Sequence, residues 1–495
     1  MTDVNRIIGE LVRYSLKTNI IKVEDSAWAV ASLLGVFEED AYEAVELPEE
    51  RELCHILRDA LDYAYDKGLI KSRGVVSRDL FDTKIMGALM PRPSEVIGKF
   101  RSLYSESPSL ATDYFYKLAV DSNYIRADRV SRDLKWKTPS EYGDIHISIN
   151  LSKPEKDPNA IALAKNLPQT DFPRCALCHE NEGFAGTLTK AARQTLRQIP
   201  FDMAAEAWYL QYSPYVYYNE HCIALSAEHK PMAINRDSFK KLLGFITEFP
   251  HYFIGSNADL PIVGGSILSH DHMQGGRYVF PMELAGVKKT IEFSGYEDIS
   301  ASIVKWPMSV IRLSGTDKER LVELADKILV LWRGYTDEGA MIFAETEGIP
   351  HNTITPIARR RGEKYELDLV LRNNLTTEEH PLGLYHPHAE HHNIKKENIG
   401  LIEVMGLAIL PARLKEEMAA LEAMILGGEE ISGIHKEWFE SFGDKYSFTK
   451  ENTAGILRDE IGNTFVRVLQ DAGVYKDTDA GLDNFLKFIE FVNNN

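Results

Sequence analysis

The spacing of apolar residues predicts helices over residues 1 to about 125. Apolar side chains recur at near-helical spacing from Ile7 to Leu16 and again from Leu53 to Tyr63. Such spacing places them on one face of a helix. Gly68 follows the second run, at a point where a glycine favours the end of a helix. We therefore predict a helical N-terminal region.

Near residue 140 the pattern changes to strict alternation, which predicts a β-strand. Ile145, Ile147 and Ile149 alternate with polar residues, and Pro154 then interrupts the pattern. Three later segments continue the mixture. The aromatic-rich residues 205–226 predict strands joined by a turn, residues 237–253 predict a helix that ends at Pro250, and residues 266–282 predict a strand, a His-rich turn and a second strand.

The C-terminal part repeats this mixture of helix and strand. Residues 317–335 form a strongly amphipathic pattern with Leu321, Leu324 and Ile328 on one face. Leucines occupy every second position over residues 367–371, as is typical of a strand. Strands with helices packed against them predict an α+β fold.

Composition and charge narrow the class of function. The 495 residues carry a formal net charge of −18. Nucleic-acid-binding proteins need clustered cations, so we expect no nucleic-acid partner. The first residues lack an apolar signal-peptide core, and no apolar stretch is long enough to span a membrane, so we expect a cytoplasmic protein without a membrane partner. Four cysteines in so long a chain do not indicate a disulfide framework.

The segment His270-Asp-His272-Met-Gln274 is the first candidate site. On a strand or an extended turn, His270 and His272 face the same side. Glycines flank the segment and allow close approach of a ligand. A neutral imidazole whose other nitrogen is held by a partner is a competent nucleophile, and the Gln274 amide is a neutral donor for a phosphate oxygen. The alternative is a pair of packed histidines beside a glycine turn.

The pair Cys175 and Cys178 allows three interpretations. A redox pair should begin a helix in a βαβ unit, which the pattern does not predict. With His179 the segment matches the covalent haem signature, although no signal peptide precedes it. Half of a tetrahedral zinc site is the third, with His229 and His270 as candidate partners. Two unliganded buried thiols are the alternative to all three.

A second His-rich segment extends from His386 to His392. With His351 these histidines could hold a metal ion, or they could line a sugar-phosphate pocket together with Lys395 and Lys396. Plain hydrogen-bonding histidines remain the alternative.

Five segments in order resemble a known family over roughly residues 140 to 430. They are SKPEKDP, CALCHENEG, QYSPYVYYNEHC, SNADLPIVGGSILSHDHMQGG and HHNIKKENIGLIEVMGLAILP. The chain resembles the second type of galactose-1-phosphate uridylyltransferase, in the His-triad superfamily. The resemblance implies His-triad-like antiparallel sheets with packed helices in two related halves. We expect a helical extension over 1–135, a catalytic domain over 136–290, and a related domain with a helical tail over 291–495.

The resemblance also implies roles for the residues of each site. His272 is the expected nucleophile, Gln274 contacts the phosphate, and His270 aims His272 while serving as a metal ligand. The expected zinc ligands are Cys175, Cys178, His229 and His270. A second structural metal, iron or zinc, would use His351, His386, His388 and, as the nearest candidate, Glu283. No organic cofactor is expected.

Substrate-binding residues are implied less directly. Lys153 and Lys156 lie where the first type of the family has two arginines, so their residue type departs from the family pattern. Arg126, Arg129 and Arg132 are the alternative phosphate-binding residues. Gln211, Tyr212 and Tyr215 lie where the family contacts uridine, although an aromatic strand packed in the core is as good an interpretation. Asn257 corresponds to an asparagine near the phosphates.

The implied reaction moves a uridylyl group from UDP-glucose to galactose 1-phosphate through a covalent uridylyl-histidine, with ping-pong kinetics. A homodimer is expected, in which the segment after residue 396 completes the partner's site. Two rival functions stay open. One is a nucleotide hydrolase or phosphorylase of the same superfamily, and the other is a non-enzymatic metal-binding protein, with a haem protein as a minor third.

Overall fold

The computed structural model describes residues 3–151, 171–265 and 267–495. Helices occupy most of the N-terminal quarter and recur at intervals to the C-terminus. In the described residues they are α1 Val4–Lys17, α2 Ser26–Phe37, α3 Leu53–Asp66, α4 Val75–Gly87, α5 Pro93–Glu106, α6 Pro108–Asp121, α7 Ala127–Val130, α8 Arg236–Glu248, α9 Pro281–Leu284, α10 Lys318–Arg333, α11 Leu401–Val404, α12 Arg413–Gly427, α13 Lys436–Glu440, α14 Thr453–Ala472 and α15 Asp479–Asn494.

In the part of the chain that the structure describes, the strands form one large and two small sheets. They are β1 Leu134–Ser140, β2 Gly143–Ile149, β3 Ile199–Met203, β4 Glu206–Tyr212, β5 Cys222–Ser226, β6 Phe253–Gly255, β7 His272–Gly276, β8 Val287–Ile291, β9 Ser300–Val304, β10 Val310–Gly315, β11 Glu345–Thr346, β12 Ile349–Pro350, β13 Asn352–Arg361, β14 Lys364–Asn373 and β15 Leu407–Leu410.

Ten strands form the large sheet, in the order β3-β4-β5-β7-β6-β13-β14-β10-β9-β8, and all of its strand pairs are antiparallel. The sheet β1-β2-β15 includes a parallel pair between β2 and β15. The third sheet is the short hairpin of β11 and β12. Mixed helices and mainly antiparallel sheets confirm the predicted α+β class.

The large sheet separates two apolar cores. Because successive side chains of a strand point to opposite faces, Ile311 and Leu369 join one core while Val310 and Val370 join the other. The first core contains residues of the N-terminal helices, α8, α10 and α15. The second contains residues of β2, α11, α12 and α14.

The helical predictions are confirmed. Helices α1 and α3 bury the predicted apolar faces, and Gly68 has φ +84° just beyond α3. Helix α8 ends before Pro250, and α10 buries Leu321, Leu324 and Ile328 as the pattern predicts.

One strand prediction is wrong. No strand precedes His272 among described residues 267–271. Isolated backbone hydrogen bonds join this segment to the loop beyond β5. Met232 N–H donates to Leu268 O, and Asp271 N–H donates to Lys230 O. This segment therefore approaches the sheet as a loop.

The division into two related halves at residue 290 stays a prediction. The large sheet takes strands from both predicted halves, and β8 lies across that boundary. Among the described helices, none is both long enough and apolar enough to cross a membrane.

Candidate active site and metal centre

Strand β7 carries the candidate nucleophile in the interior of the large sheet. It lies between β5 and β6, pairing Leu225 with His272 and Gly255 with Gln274. His272 and Gln274 are two residues apart and share one face of the sheet. Met273, between them, points into the apolar core on the other face. The alternation thus presents two polar side chains together on a rigid strand.

The ring of His272 is fixed in one tautomer. Its Nδ1–H donates to the His270 carbonyl oxygen at 2.8 Å. Within the described chain, Nε2 has no hydrogen-bond partner. Burial lowers the pKa of His272, and the neighbouring His270 lowers it further, while the backbone hydrogen bond acts in the opposite direction. The result is a neutral imidazole with a free Nε2 lone pair, which is the form that attacks phosphorus.

Gln274 is held by its side-chain oxygen. Its Oε1 lies 3.0 Å from Nε2 of His221, a buried histidine at the start of β5. The Gln274 amide nitrogen has no hydrogen-bond partner among the described residues. An available amide donor therefore lies next to the available imidazole nitrogen.

The predicted metal ligands are brought together. Cys175, Cys178, His229 and His270 each offer one ligand atom, and these atoms all lie within 4.8 Å of one another. The Sγ atoms of Cys175 and Cys178 are 3.4 Å apart. His270 Nδ1 lies 3.2 Å from Cys175 Sγ, and His229 Nδ1 lies 3.1 Å from Cys178 Sγ.

These distances, 3.1–3.4 Å, are slightly shorter than those between the ligands of a tetrahedral metal ion, so the ligands would move apart by only a few tenths of an ångström to hold one. Thiolate and imidazole ligands at normal zinc bond lengths lie roughly 3.3–3.8 Å from one another. The Nε2–H of His270 donates to Ser226 O at 2.8 Å, which leaves Nδ1 for the metal. Burial alone raises the pKa of Cys175, but the contact with His270 and the hydrogen bond from Leu177 N–H bring it to about 7, whereas burial and the neighbouring Cys175 raise the pKa of Cys178; Cys175 is therefore the readier thiolate of the pair. The four residues can therefore hold a metal ion.

The competing interpretations of the cysteine pair have less support. His179 stacks on Tyr209 and bonds to Gln198. A short 3-10 turn, His179–Asn181, follows Cys178 in place of the long helix that a redox pair begins. In the described residues the other group with ligand spacing, Glu52, Cys54 and His55, is largely exposed at the start of α3.

Asn257 lies beside β7 in a closely packed position. It follows β6, and its Oδ1 accepts a hydrogen bond from Leu401 N–H at 2.9 Å. A Cβ atom at Gly265 would lie 2.6 Å from Asn257 Nδ2, and one at Gly400 would lie 3.2 Å from Asn257 Oδ1. Both glycines are therefore needed for backbone to approach this side chain. This brings Leu401, in the segment after residue 396, into contact with Asn257, two residues beyond the strand β6 that pairs with β7.

Two other residues predicted to bind substrate lie on opposite faces of the large sheet. Gln211 is on the same sheet face as Gln274, because Ile223 of β5 pairs with both, and it accepts a hydrogen bond from Gln198. Tyr212 points to the opposite face, where it is 1% exposed and its hydroxyl contacts Tyr252. A ligand on the Gln274 face therefore cannot reach Tyr212, and its predicted role in substrate binding is wrong.

The residues predicted to bind phosphate are two lysines, with three arginines as alternatives. Lys153 and Lys156 lie outside the described residues. The alternative arginines are engaged by carboxylates, in the pairs Arg126–Asp82, Arg129–Asp79 and Arg132–Asp128. Ion pairs of this kind neutralise the charge that a phosphate would need.

The second predicted metal site does not assemble as one group among the described residues. Glu283 faces Arg359 and Arg361, each at 3.7 Å. Arg359 is eight residues beyond His351 along β13, a separation of about 26 Å at the usual rise of a strand. The choice of Glu283 as a ligand alongside His351 is therefore wrong.

The histidines of that predicted site have separate partners. His351 Nδ1 bonds to Asn374, His386 Nε2 to Asn398, and His388 Nε2 to the Leu384 carbonyl oxygen. These contacts agree with the simpler interpretation of hydrogen-bonding histidines.

Two buried residues near the site were not predicted from the sequence. His221 lies in the segment QYSPYVYYNEHC, which contributes to the resemblance, but no role was predicted for it. Arg372 is 1% exposed, donates to Ile399 O and has no ion pair within the described chain. Neither residue type is normally buried, so nothing in the local pattern indicated their positions.

Comparison with known proteins identifies the family of this chain. The N-terminal domain model of galactose-1-phosphate uridyl transferase matches residues 36–231, and the C-terminal domain model matches residues 245–440. Three relatives are each described as a galactose-1-phosphate uridylyltransferase. The protein of Clostridium acetobutylicum is 54% identical (99% of this chain, 100% of the relative), that of Fusobacterium nucleatum is 50% identical (99% and 99%), and that of Bacillus subtilis is 47% identical (98% and 96%).

Among solved structures, yeast Ap4A phosphorylase Apa2 is 12% identical with a TM-score of 0.34, over 63% of this chain and 90% of that one. The relatives with near-complete coverage and both domain models lead to one conclusion: the chain belongs to the galactose-1-phosphate uridyl transferase family.

Proposed function

We propose that this protein transfers a uridylyl group from UDP-glucose to galactose 1-phosphate, with His272 as the covalent nucleophile. One observation carries the assignment. The free Nε2 of His272 and the free amide nitrogen of Gln274 lie on one face of β7. A nucleophile beside a neutral hydrogen-bond donor suits attack at phosphorus. Family membership supports the choice of substrates.

The reaction has two displacements. His272 Nε2 attacks the α-phosphorus of UDP-glucose, a nitrogen–phosphorus bond forms, and the bond to glucose 1-phosphate breaks. The modified ring carries a positive charge, which the His270 carbonyl stabilises through Nδ1–H. A phosphate oxygen of galactose 1-phosphate then attacks the same phosphorus, releasing the imidazole and UDP-galactose. Gln274 donates to the phosphorus oxygens in both steps.

We propose zinc for the group of Cys175, Cys178, His229 and His270, because two thiolates and two imidazoles match its preferred ligands. When bound there, zinc supplies structural cross-linking and not a reacting species. Its proposed effect on the reaction passes through His270, whose carbonyl oxygen holds His272. We also propose a cytoplasmic homodimer, on the strength of the family resemblance.

Intact-protein mass spectrometry after mixing with UDP-glucose alone tests the mechanism. We expect a uridylyl adduct on the peptide that contains His272, and discharge of the adduct by galactose 1-phosphate. The His272→Asn variant should form no adduct, whereas His251→Asn, a substitution on the α8–β6 connection, should form it normally. Discharge by water or inorganic phosphate, but not by the sugar phosphate, would favour the hydrolase or phosphorylase.

A further inference from the structure

His221 is a buried histidine for which the mechanism above has no role. It directly precedes β5 and is 2% exposed. The rings of Tyr217 and Tyr218 lie against it, with centroids 5.4 and 4.6 Å away. Buried polar groups are costly unless they are hydrogen-bonded, so the contacts of its two ring nitrogens show what it does.

The two nitrogens face two different oxygen acceptors. Nδ1 lies 3.0 Å from the Tyr215 carbonyl oxygen, within the loop between β4 and β5. Nε2 lies 3.0 Å from Gln274 Oε1, on β7. The first contact closes a loop, and the second reaches the side chain beside the nucleophile. His221 therefore connects the loop to the reaction centre.

The contact with Gln274 determines which end of its amide is available. An amide offers one carbonyl acceptor and one NH2 donor. Because Oε1 is occupied by His221, the NH2 group remains as the end without a partner in the described chain. The opposite orientation would present a carbonyl oxygen to the negatively charged phosphate oxygens, and the two would repel each other.

We propose that His221 is a positioning residue, which holds Gln274 by its side-chain oxygen so that the amide NH2 faces the reacting phosphorus. The inference rests on the proposed function, because it gives Gln274 a phosphate to contact. His221 itself does not touch the substrate in this scheme. Its effect on rate passes through Gln274, as with other outer-shell partners that orient a reacting group.

Two amide substitutions separate the contacts of His221. His221→Asn places its amide near the position of Nδ1, so it keeps the Tyr215 contact and loses Gln274. His221→Gln reaches the position of Nε2, so it keeps Gln274 and loses Tyr215. Burial lowers the pKa of His221, and a neutral ring can donate to only one of the two oxygens; the proposal places that proton on Nε2, because the other tautomer would accept from the Gln274 NH2 and turn Oε1 toward the phosphate. The amide variants avoid this complication because they do not titrate.

The measurement is the single-turnover rate of adduct formation with UDP-glucose, together with the dissociation constant of UDP-glucose. For His221→Asn we expect the rate to fall by about 10–100-fold with little change in the dissociation constant. His221→Gln should retain a rate close to wild type. A purely structural role predicts the reverse order, and that order, or two variants with wild-type rates, would overturn the inference.

A double-mutant cycle covers the case in which both variants are impaired. On a Gln274→Ala background, His221→Asn should cause no further fall in rate, because the side chain that it positions is absent. Rate losses that multiply would overturn the inference. If the wild-type protein forms no adduct, the proposed function fails; a reactive wild type beside a fully active His221→Asn variant rejects only the role of His221.

Discussion

His270 and His272 are two residues apart, yet the backbone gives them different chemistry. His270 donates from Nε2 to Ser226 O and turns Nδ1 toward two thiols. His272 donates from Nδ1 and leaves Nε2 free. Which nitrogen is available depends on which carbonyl oxygen accepts the other ring proton. In the proposed function, the same residue type therefore serves as a metal ligand at position 270 and as a nucleophile at position 272.

A substitution at Gly265 tests whether the backbone must lie close to the Asn257 side chain. A Cβ at this position would lie 2.6 Å from Asn257 Nδ2, so Gly265→Ala should displace the asparagine. We expect a loss of about 1–3 kcal/mol in the free energy of unfolding, as for other overpacked sites, together with weaker UDP-glucose binding measured by calorimetry. Gly286→Ala is the matched control, since a Cβ there meets nothing within 4 Å. Equal affinities for the two variants would contradict a role for this packing.

A substitution at Cys178 tests the proposed set of metal ligands. Cys178→Ser should remove about one equivalent of zinc, lower the Tm and slow adduct formation, because His270 loses its fixed position. Metal analysis and thermal melting measure the first two effects. Cys54→Ser, at a half-buried position in the first turn of α3, should change neither metal content nor Tm. Full zinc occupancy in Cys178→Ser would contradict the proposed ligand set.

At the scale of elements, the strands β10, β13 and β14 share a buried ion cluster. Arg359 contacts Glu366 and Asp368, and Arg312 donates to Asp368 at 2.7 Å. Asp368 is fully buried, and although burial raises its pKa, the two arginines together bring it to about 2. All four groups lie on the face of the large sheet that also carries the candidate site.

Removing one member of this cluster should be costly. Asp368→Asn leaves two buried arginines short of a negative charge, so we expect a loss of about 3–5 kcal/mol in the free energy of unfolding, measured by urea denaturation. Asp298→Asn, which breaks an exposed pair with Arg320, should leave the midpoint unchanged. A small effect for Asp368→Asn would mean that water enters the cluster.

Elements were predictable from the sequence where one periodic pattern determined the burial. Helix α10 and strand β14 are such cases, since Leu321 and Leu367 belong to regular apolar rows. The opposite face of β14 was not predictable, because Glu366 and Asp368 have the polarity of a solvated face and yet are buried. Their burial depends on Arg312 and Arg359, which approach from other strands.

The candidate site shows the same limit. The motif around His272 led to the proposed nucleophile, and the cysteine pair led to part of a group that the structure brings together, because their residue types are chemically distinctive. Tyr212 and His221 were misjudged or missed, since strand register decides which face each occupies. That register depends on pairing between β4, β5 and β7, which no local pattern specifies.

At the scale of the whole molecule, the large sheet combines two parts of the chain. Strands from residues 199–276 and from residues 287–373 join through β6 and β13. Asn257 follows β6 and contacts Leu401, which begins α11. The site is therefore built from segments that are distant in sequence, and it forms only when both parts have folded.

The position of β7 has a consequence for motion. Both of its edges are paired, with β5 on one side and β6 on the other, whereas described residues 256–265 and 374–400 around it belong to no strand of the sheet. Hydrogen–deuterium exchange should therefore be slowest for the amides of β7 and faster for these loops. Fast exchange in β7 would contradict this expectation. In the proposed reaction a UDP-sugar and a sugar phosphate enter in each cycle and one of each leaves. We expect the loops to open for this exchange while His272 stays fixed on β7.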